Sequence, residues 1–536
     1  MRRTIALALS FALTVSLAAC GAKAETREEV KEEYDGATAI TLSDNGIIVD
    51  GTPASTDETA AVYTANDIAF YLEGQDFTYG EGTEADGHSQ AEADAHTVVH
   101  ITQPGTYALS GSLSTGQIAV DLGEDAAENP EAVVTLILNG VDITSTVAPA
   151  VIFYNVYECG SADTETAKKD VDTSSAGANI IIADGTENHI TGSYVARIYK
   201  PGSVELSEDG TEVVDSKKLH KYDGAFYSKM SMNVDGGEHG TGVLTIDAEN
   251  EGLDSELHLT VNGGNINIHS GNDGINTNED GVSVTTINGG TLTIDVDGAT
   301  GEGDGIDSNG WLIINGGTVI SAACSTSGDA GIDSDMGVYI NGGTVVASGN
   351  MLDRIEEDSR QNFAVFSFAQ RQVGGTTYTL KDIGGTTVGT YTPANDFTYL
   401  LVSGEFLSTS TYTLWQGETQ LAGNVSSGGM GGHGMSGGLR PDGMMPPDDF
   451  EPPEGMERPE KGPGQRRENG EKPQRNEDGT ITLPDGTTVD PAQMTPPDSK
   501  DFSGKDMGGA QDDGEKTAEF AIQDGGNYFS GVSAEE

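Results

Sequence analysis

Apolar and polar residues alternate in short runs through the middle of the chain, and each run is closed by a glycine-containing turn. Val261, Ile287, Ile314 and Ile340 stand directly before a turn, with Leu259, Thr285, Leu312 and Val338 two residues earlier. Ile266, Leu292, Val319 and Val345 follow the turns. A period of two is the signature of strands with one buried face. The turns also recur. Asp235-Gly236-Gly237 is followed by Asn262-Gly263-Gly264, Asn288-Gly289-Gly290, Asn315-Gly316-Gly317 and Asn341-Gly342-Gly343, at spacings of 27, 26, 27 and 26 residues. A second signature lies between them: Gly252-Leu253-Asp254-Ser255, Gly274-Ile275-Asn276-Thr277, Gly305-Ile306-Asp307-Ser308 and Gly331-Ile332-Asp333-Ser334.

One such unit cannot bury its apolar face alone, but stacked units make a continuous core. The repeat therefore predicts an all-β protein, a right-handed parallel β-helix with coils of about 26 residues. Equivalent residues of successive coils should stack, with Asn at the turn bonding the turns above and below and Gly supplying positive φ. Weaker coils lie upstream, at Thr135–Gly140 and Ile180–Gly185, and the stretch Glu158–Ala178 between them reads as an insertion. A second insertion is expected near Lys200–Leu219, and the coils should begin near residue 97 with residues 38–80 as a cap.

The expected organisation is a signal peptide over 1–19, a tether over 20–37, the β-helix over 38–351 and a small β-rich C-terminal module over 352–424. A disordered linker over 425–515 follows, and 516–536 offers a possible returning strand. The linker assignment rests on its Gly-, Pro-, Met- and acid-rich composition, which cannot bury enough apolar surface to fold.

Arg2 and Arg3 precede an apolar stretch that ends in Leu17-Ala18-Ala19-Cys20. This is the form of a lipoprotein signal peptide, so Cys20 is the expected lipidation site and the protein is expected on the extracellular face of the cell membrane. Cys159 and Cys324 do not make a disulfide framework, and whether they pair is left open. With 27 basic and 86 acidic residues the net charge is −59, which excludes nucleic acid as a natural partner and suits divalent cations.

The runs "GTYALSGSLSTGQIAVDL", "VTLILNGVDIT", "ADGTENHITG" and "DGAFYSK", with the coils "GLDS…NGG", "DGINT…NGG" and "DGIDS…NGG", resemble secreted bacterial carbohydrate-binding domain proteins, long filed as a domain of unknown function. The resemblance covers about 35–424. It implies a β-helix similar to polysaccharide lyases, bound calcium, and binding of polygalacturonate (pectin) or cellulose, without established catalysis. The chain departs from the family pattern after the first clear coil, where Tyr227-Ser228-Lys229-Met230-Ser231-Met232 lacks an acidic pair.

The coils themselves point to cation chemistry. Residues 223–351 hold nineteen acidic residues, one lysine and no arginine. In each Gly-Ile-Asp-Ser signature the Ile should face inward and the next residue outward, stacking acidic groups about 4.8 Å apart. Calcium is the expected cofactor, with Asp254, Asp273, Asp304, Asp307, Asp333 and Asp335 as candidate ligands. Trp311 and Tyr339 are candidate sugar-stacking residues on neighbouring coils, although Val284 and Ile313 also face outward and indicate a covering segment. The function expected is non-catalytic, calcium-dependent polysaccharide binding. Two alternatives stay open: a calcium-dependent polysaccharide lyase, for which Lys229 is the weak candidate base, and a structural or adhesive surface protein.

Overall fold

A computed structural model describes residue 34, residues 36–426 and residues 516–534, with three short paired strands between 474 and 489. The signal peptide and Cys20 lie outside the described residues. So does most of the 425–515 segment. Within it, Val425 and Ser426 end a strand, and Gln474–Arg475, Ile481–Thr482 and Thr488–Val489 pair as an antiparallel ladder.

The architecture is all-β, and its body is three ladders of mainly parallel strands to which successive coils contribute. The first ladder runs through Val134–Thr144, Ala178–Ile182, Met232–Asp235, His258–Val261, Val284–Ile287, Trp311–Ile314 and Gly337–Ile340. The second also includes the distal half of Val134–Thr144 and continues through Glu187–Gly192, Val243–Ala248, Asn265–Ser270, Thr291–Val296, Thr318–Ala322 and Thr344–Gly349. The third runs through Thr97–Ile101, Gly116–Asp121, Val151–Asn155, Gly224–Ser228, Glu251–Ser255, Ile275–Thr277 and Ile306–Ser308.

Register explains the core. Leu259, Thr285, Leu312 and Val338 stack in one column and Ile266, Leu292, Val319 and Val345 in another, all buried. The turn asparagines form a ladder of their own. Asn288, Asn315 and Asn341 each donate Nδ2–H to the Oδ1 of the preceding turn's asparagine at 3.0 Å. Gly264, Gly290, Gly317 and Gly343 all have positive φ, which the turn requires. The second signature needs glycine for a different reason, the closeness of the coils. A Cβ on Gly252, Gly274 or Gly305 would lie 2.4–2.6 Å from the carbonyl oxygen of the equivalent glycine in the next coil.

The stack starts earlier than the repeat predicts. Thr38–Leu42 pairs in parallel with Gly105–Leu113, so residues 38–42 belong to the ladder and are not only a cap. The periodicity missed them because a long segment separates this strand from its ladder partner. At the other end, Phe397–Ser403 pairs antiparallel with Thr344–Gly349 and with Phe363–Gln372. Gly526–Ala534 lies between Phe363–Gln372 and Thr419–Ser426. Phe366, Phe397, Phe520 and Phe529 form the centre of this second core.

Candidate metal centre

The third ladder carries a single outward column of changing chemistry: His100, Ala119, Ile152, Tyr227, Asp254, Asn276 and Asp307, one per coil. Asp333 follows Asp307 on the next coil, its N–H bonding the carbonyl of Ile306 at 2.7 Å. Asp304, Asp307 and Asp333 meet at this corner, and one carboxylate oxygen from each lies within 4.8 Å of the others. All three are partly buried.

Two of the six candidate ligands also have a structural task. Asp273 accepts the N–H of Asp304 at 2.6 Å, and Asp304 accepts the N–H of Ala330 at 2.5 Å. Each carboxylate thus ties its own turn to the equivalent turn of the next coil. Asp254 is not part of the cluster. It is fully buried, two coils from Asp307, with Asn276 between them, and it accepts from Asn278 Nδ2 at 2.6 Å. Its outward parity holds, but Tyr227 and Asn276 stand on either side of it in the column, and Asn278 supplies a hydrogen bond where a cation was expected. Asp335 is exposed at the rim.

Electrostatics set the cluster apart from ordinary surface acids. Burial, then the neighbouring Asp335, pushes Asp307 up to about 7. Burial and the nearby Asp353 and Asp307 push Asp333 up to about 8. Asp304 is raised well above the usual carboxylate range by burial and by Asp273, and Asp273 by burial and by Asp307. Carboxylates held this way either share protons or take a cation. The donor set fits a hard cation: three carboxylates, with the buried Oδ1 of Asn276 on the adjoining coil receiving no hydrogen bond.

Sequence reasoning missed two acids here. Asp353 sits beyond the last clear coil, accepts the N–H of Ser334 at 3.1 Å, and is raised to about 6 mainly by burial. Asp329 accepts the N–H of Gly303 at 2.6 Å. A signal for it exists: the last signature reads Asp329-Ala330-Gly331, with the acid one place earlier than in Asp304-Gly305.

The other candidates lie elsewhere. Lys229 is exposed, and its Nζ reaches Asn155 Oδ1 at 3.4 Å. Three ladder steps, roughly 14 Å, separate its coil from that of Asp307. Trp311 and Tyr339 occupy neighbouring coils but different columns. Trp311 stacks between Val284 and Gly337, and Tyr339 on Ile313, so the two rings form no continuous platform. The insertion after Val151–Asn155 lies across this face. Thr173 bonds Thr260 at 2.7 Å, and Lys169 Nζ sits 4.3 Å from the centre of the Tyr339 ring. Cys159 and Cys324 are unpaired.

The model of the carbohydrate-binding domain-containing protein family matches residues 95–383, more than half of the chain. The chain belongs to that family. A carbohydrate-binding domain-containing protein of Acetivibrio thermocellus is 29% identical over 184 residues, 34% of this chain. This chain spans about half, 47%, of that relative's length. A solved polysaccharide lyase-like protein from C. thermocellum is similar at 21% identity and a TM-score of 0.33, over 57% of this chain and 89% of its own. The matched family region contains the three ladders from Thr97 onward and the whole acidic corner.

Proposed function

We propose that this chain is a non-catalytic, cell-surface lipoprotein that binds polysaccharide and holds calcium at Asp304, Asp307 and Asp333. The coils are read as a right-handed parallel β-helix, with Cys20 as the lipid anchor. The observation that carries the cation reading is the meeting of three partly buried carboxylates within 4.8 Å, in a member of a carbohydrate-binding family. Calcium, when bound, supplies the charge that this corner lacks. Asp304, Asp307 and Asp333 would hold it, and the Asp273–Asp304–Ala330 ties keep the turns at a fixed spacing. A cation at this edge also lets an acidic chain approach a uronate polymer such as polygalacturonate.

Calorimetry of the lipid-free chain against polygalacturonate, first with calcium and then with EDTA, tests this reading. The C-terminal strands must be kept, because Gly526–Ala534 is central to the second core. Binding that weakens at least tenfold in EDTA is the expected result. Equal binding with and without calcium would remove the cation from the reading, and no binding to any polysaccharide would overturn the function itself.

A further inference from the structure

The coils are acidic, but the insertion between Glu187–Gly192 and Gly224–Ser228 is not uniformly so. Residues 36–426 hold twelve lysines and arginines, and five of them fall between Arg197 and Lys221. All five lie in 195–204 and 216–222, which contain no acid, whereas the acids of this insertion are five in its tip at 205–215 and Asp223 at its end. The base of the insertion is a hairpin in which Val195–Tyr199 pairs antiparallel with Lys218–Tyr222. The Lys200 N–H bonds the Lys217 carbonyl at 2.7 Å, making these two lysines cross-strand neighbours. Both are exposed, and among the described residues neither has an ion pair. Adjacent like charges are unfavourable unless an anion lies between them.

Beside these lysines is a groove of about 570 Å³, lined by Phe70, Thr78, Tyr79, Tyr199, Lys200 and His220 among others. Its size falls in the range of small-molecule sites. The walls are fixed by backbone pairing. Tyr199 N–H bonds Tyr79 O at 2.8 Å, and Glu81 N–H bonds Arg197 O at 2.8 Å. Gly80 permits this approach, since a Cβ there would lie 2.2 Å from the Arg197 carbonyl oxygen. Beneath the groove, Ile68, Tyr71, Val195, Ile198 and Tyr222 pack on the third ladder through Ala119, Ile152 and Tyr227. Arg197 is committed to Glu81 at 2.9 Å. Asp76 also lines the groove, and its exposed carboxylate, which accepts from Thr78, stays ionised, so the two ammonium groups of Lys200 and Lys217 outweigh one negative charge at this rim.

We propose that this groove binds an acidic saccharide, with a sugar ring against the aromatic wall and its anionic group at Lys200 and Lys217. Aromatic rings stack on the apolar face of a sugar, and an ammonium group pairs with carboxylate or sulfate. The inference rests on the carbohydrate-binding reading above, but it places an anionic glycan away from the acidic corner and independent of calcium.

The test is calorimetry on the lipid-free full chain in EDTA. The probes are an oligogalacturonate, its methyl ester, and a sulfated galactose oligomer. The unmodified chain should bind a charged probe at least tenfold more tightly than the methyl ester, and the preferred charged probe identifies carboxylate or sulfate as the group read. Lys200→Glu with Lys217→Glu should remove that preference. Lys168→Glu with Arg360→Glu, which makes the same change in charge at exposed distant sites, should keep it. Equal affinity of the unmodified chain and the Lys200/Lys217 variant for the charged probes would overturn the groove. Failure of the unmodified chain to bind any glycan, with or without calcium, would instead overturn the carbohydrate-binding reading on which the groove depends.

Discussion

The outward column of the third ladder divides into two halves that share a backbone and differ in everything else. In the first half Ala119, Ile152 and Tyr227 are buried beneath the 66–88 segment and the 195–222 hairpin. In the second half Asp254, Asn276, Asp307 and Asp333 follow in the same column, polar side chains where the first half has mainly apolar ones. Stacking repeats every side chain about every 4.8 Å, so a chemical choice made in one coil is amplified by the next. Apolar choices sum to a docking surface for an insertion. Acidic choices sum to a repulsion that only protons, hydrogen bonds or a cation can relieve. Asp254, next to Tyr227, accepts from Asn278 Nδ2, and Asp304, Asp307 and Asp333 gather two and three coils further on.

The strongest way to break this contrast is to put the chemistry of one half into the other. Ile152→Asp buries a charge in the covered half with no partner, and should cost about 3–5 kcal/mol. Denaturant unfolding should show the loss, and the 195–222 hairpin should become sensitive to protease. In the acidic half, calcium at a hundredfold over its dissociation constant should add about 2.7 kcal/mol. Asp307→Asn should abolish that gain in thermal melts while leaving the protein folded in EDTA.

The pH response sharpens the same point. Folded Asp307 and Asp333 titrate near 7 and 8, far above an unfolded aspartate at about 3.9. Between these values the folded state holds protons that the unfolded state has released, so stability in EDTA should fall as pH rises from about 4 to 8. Calcium should therefore raise the melting temperature more at pH 8 than at pH 5, and an equal shift at both would show that the cluster does not bind it. The smallest effect belongs to the turn ladder outside both halves. Asn288→Ala breaks two exposed bonds of the ladder, to Asn262 and from Asn315, and should cost on the order of 1 kcal/mol, with no change in the calcium response.

The repeat was legible because each coil writes its constraints twice. The positive φ of Gly290 and the Asn288 bond are local needs that return every 26 or 27 residues. The acidic ridge could be read the same way, from Asp307 and Asp333 in equivalent positions. Its membership could not. Asp254 shares their parity but accepts from Asn278 and lies outside the cluster, and Asp353 joins from a segment with no repeat at all. That Trp311 and Tyr339 stand in different columns shows only in the register, which sets Tyr339 on Ile313 while Trp311 meets Gly337.

The sequence by itself determined the stack: its period, its inward columns, its asparagine turns and the acidic edge follow from spacing, because a β coil repeats its geometry at each level. Only the tertiary structure decided what covers that stack. The Thr38–Leu42 strand, the draped insertion with Thr173 and Lys169, the groove at Lys200, and the C-terminal strand beside Phe363–Gln372 all join through contacts between segments far apart in the chain. Such contacts leave no period in the sequence, since each is made once and depends on which surface the finished stack leaves open.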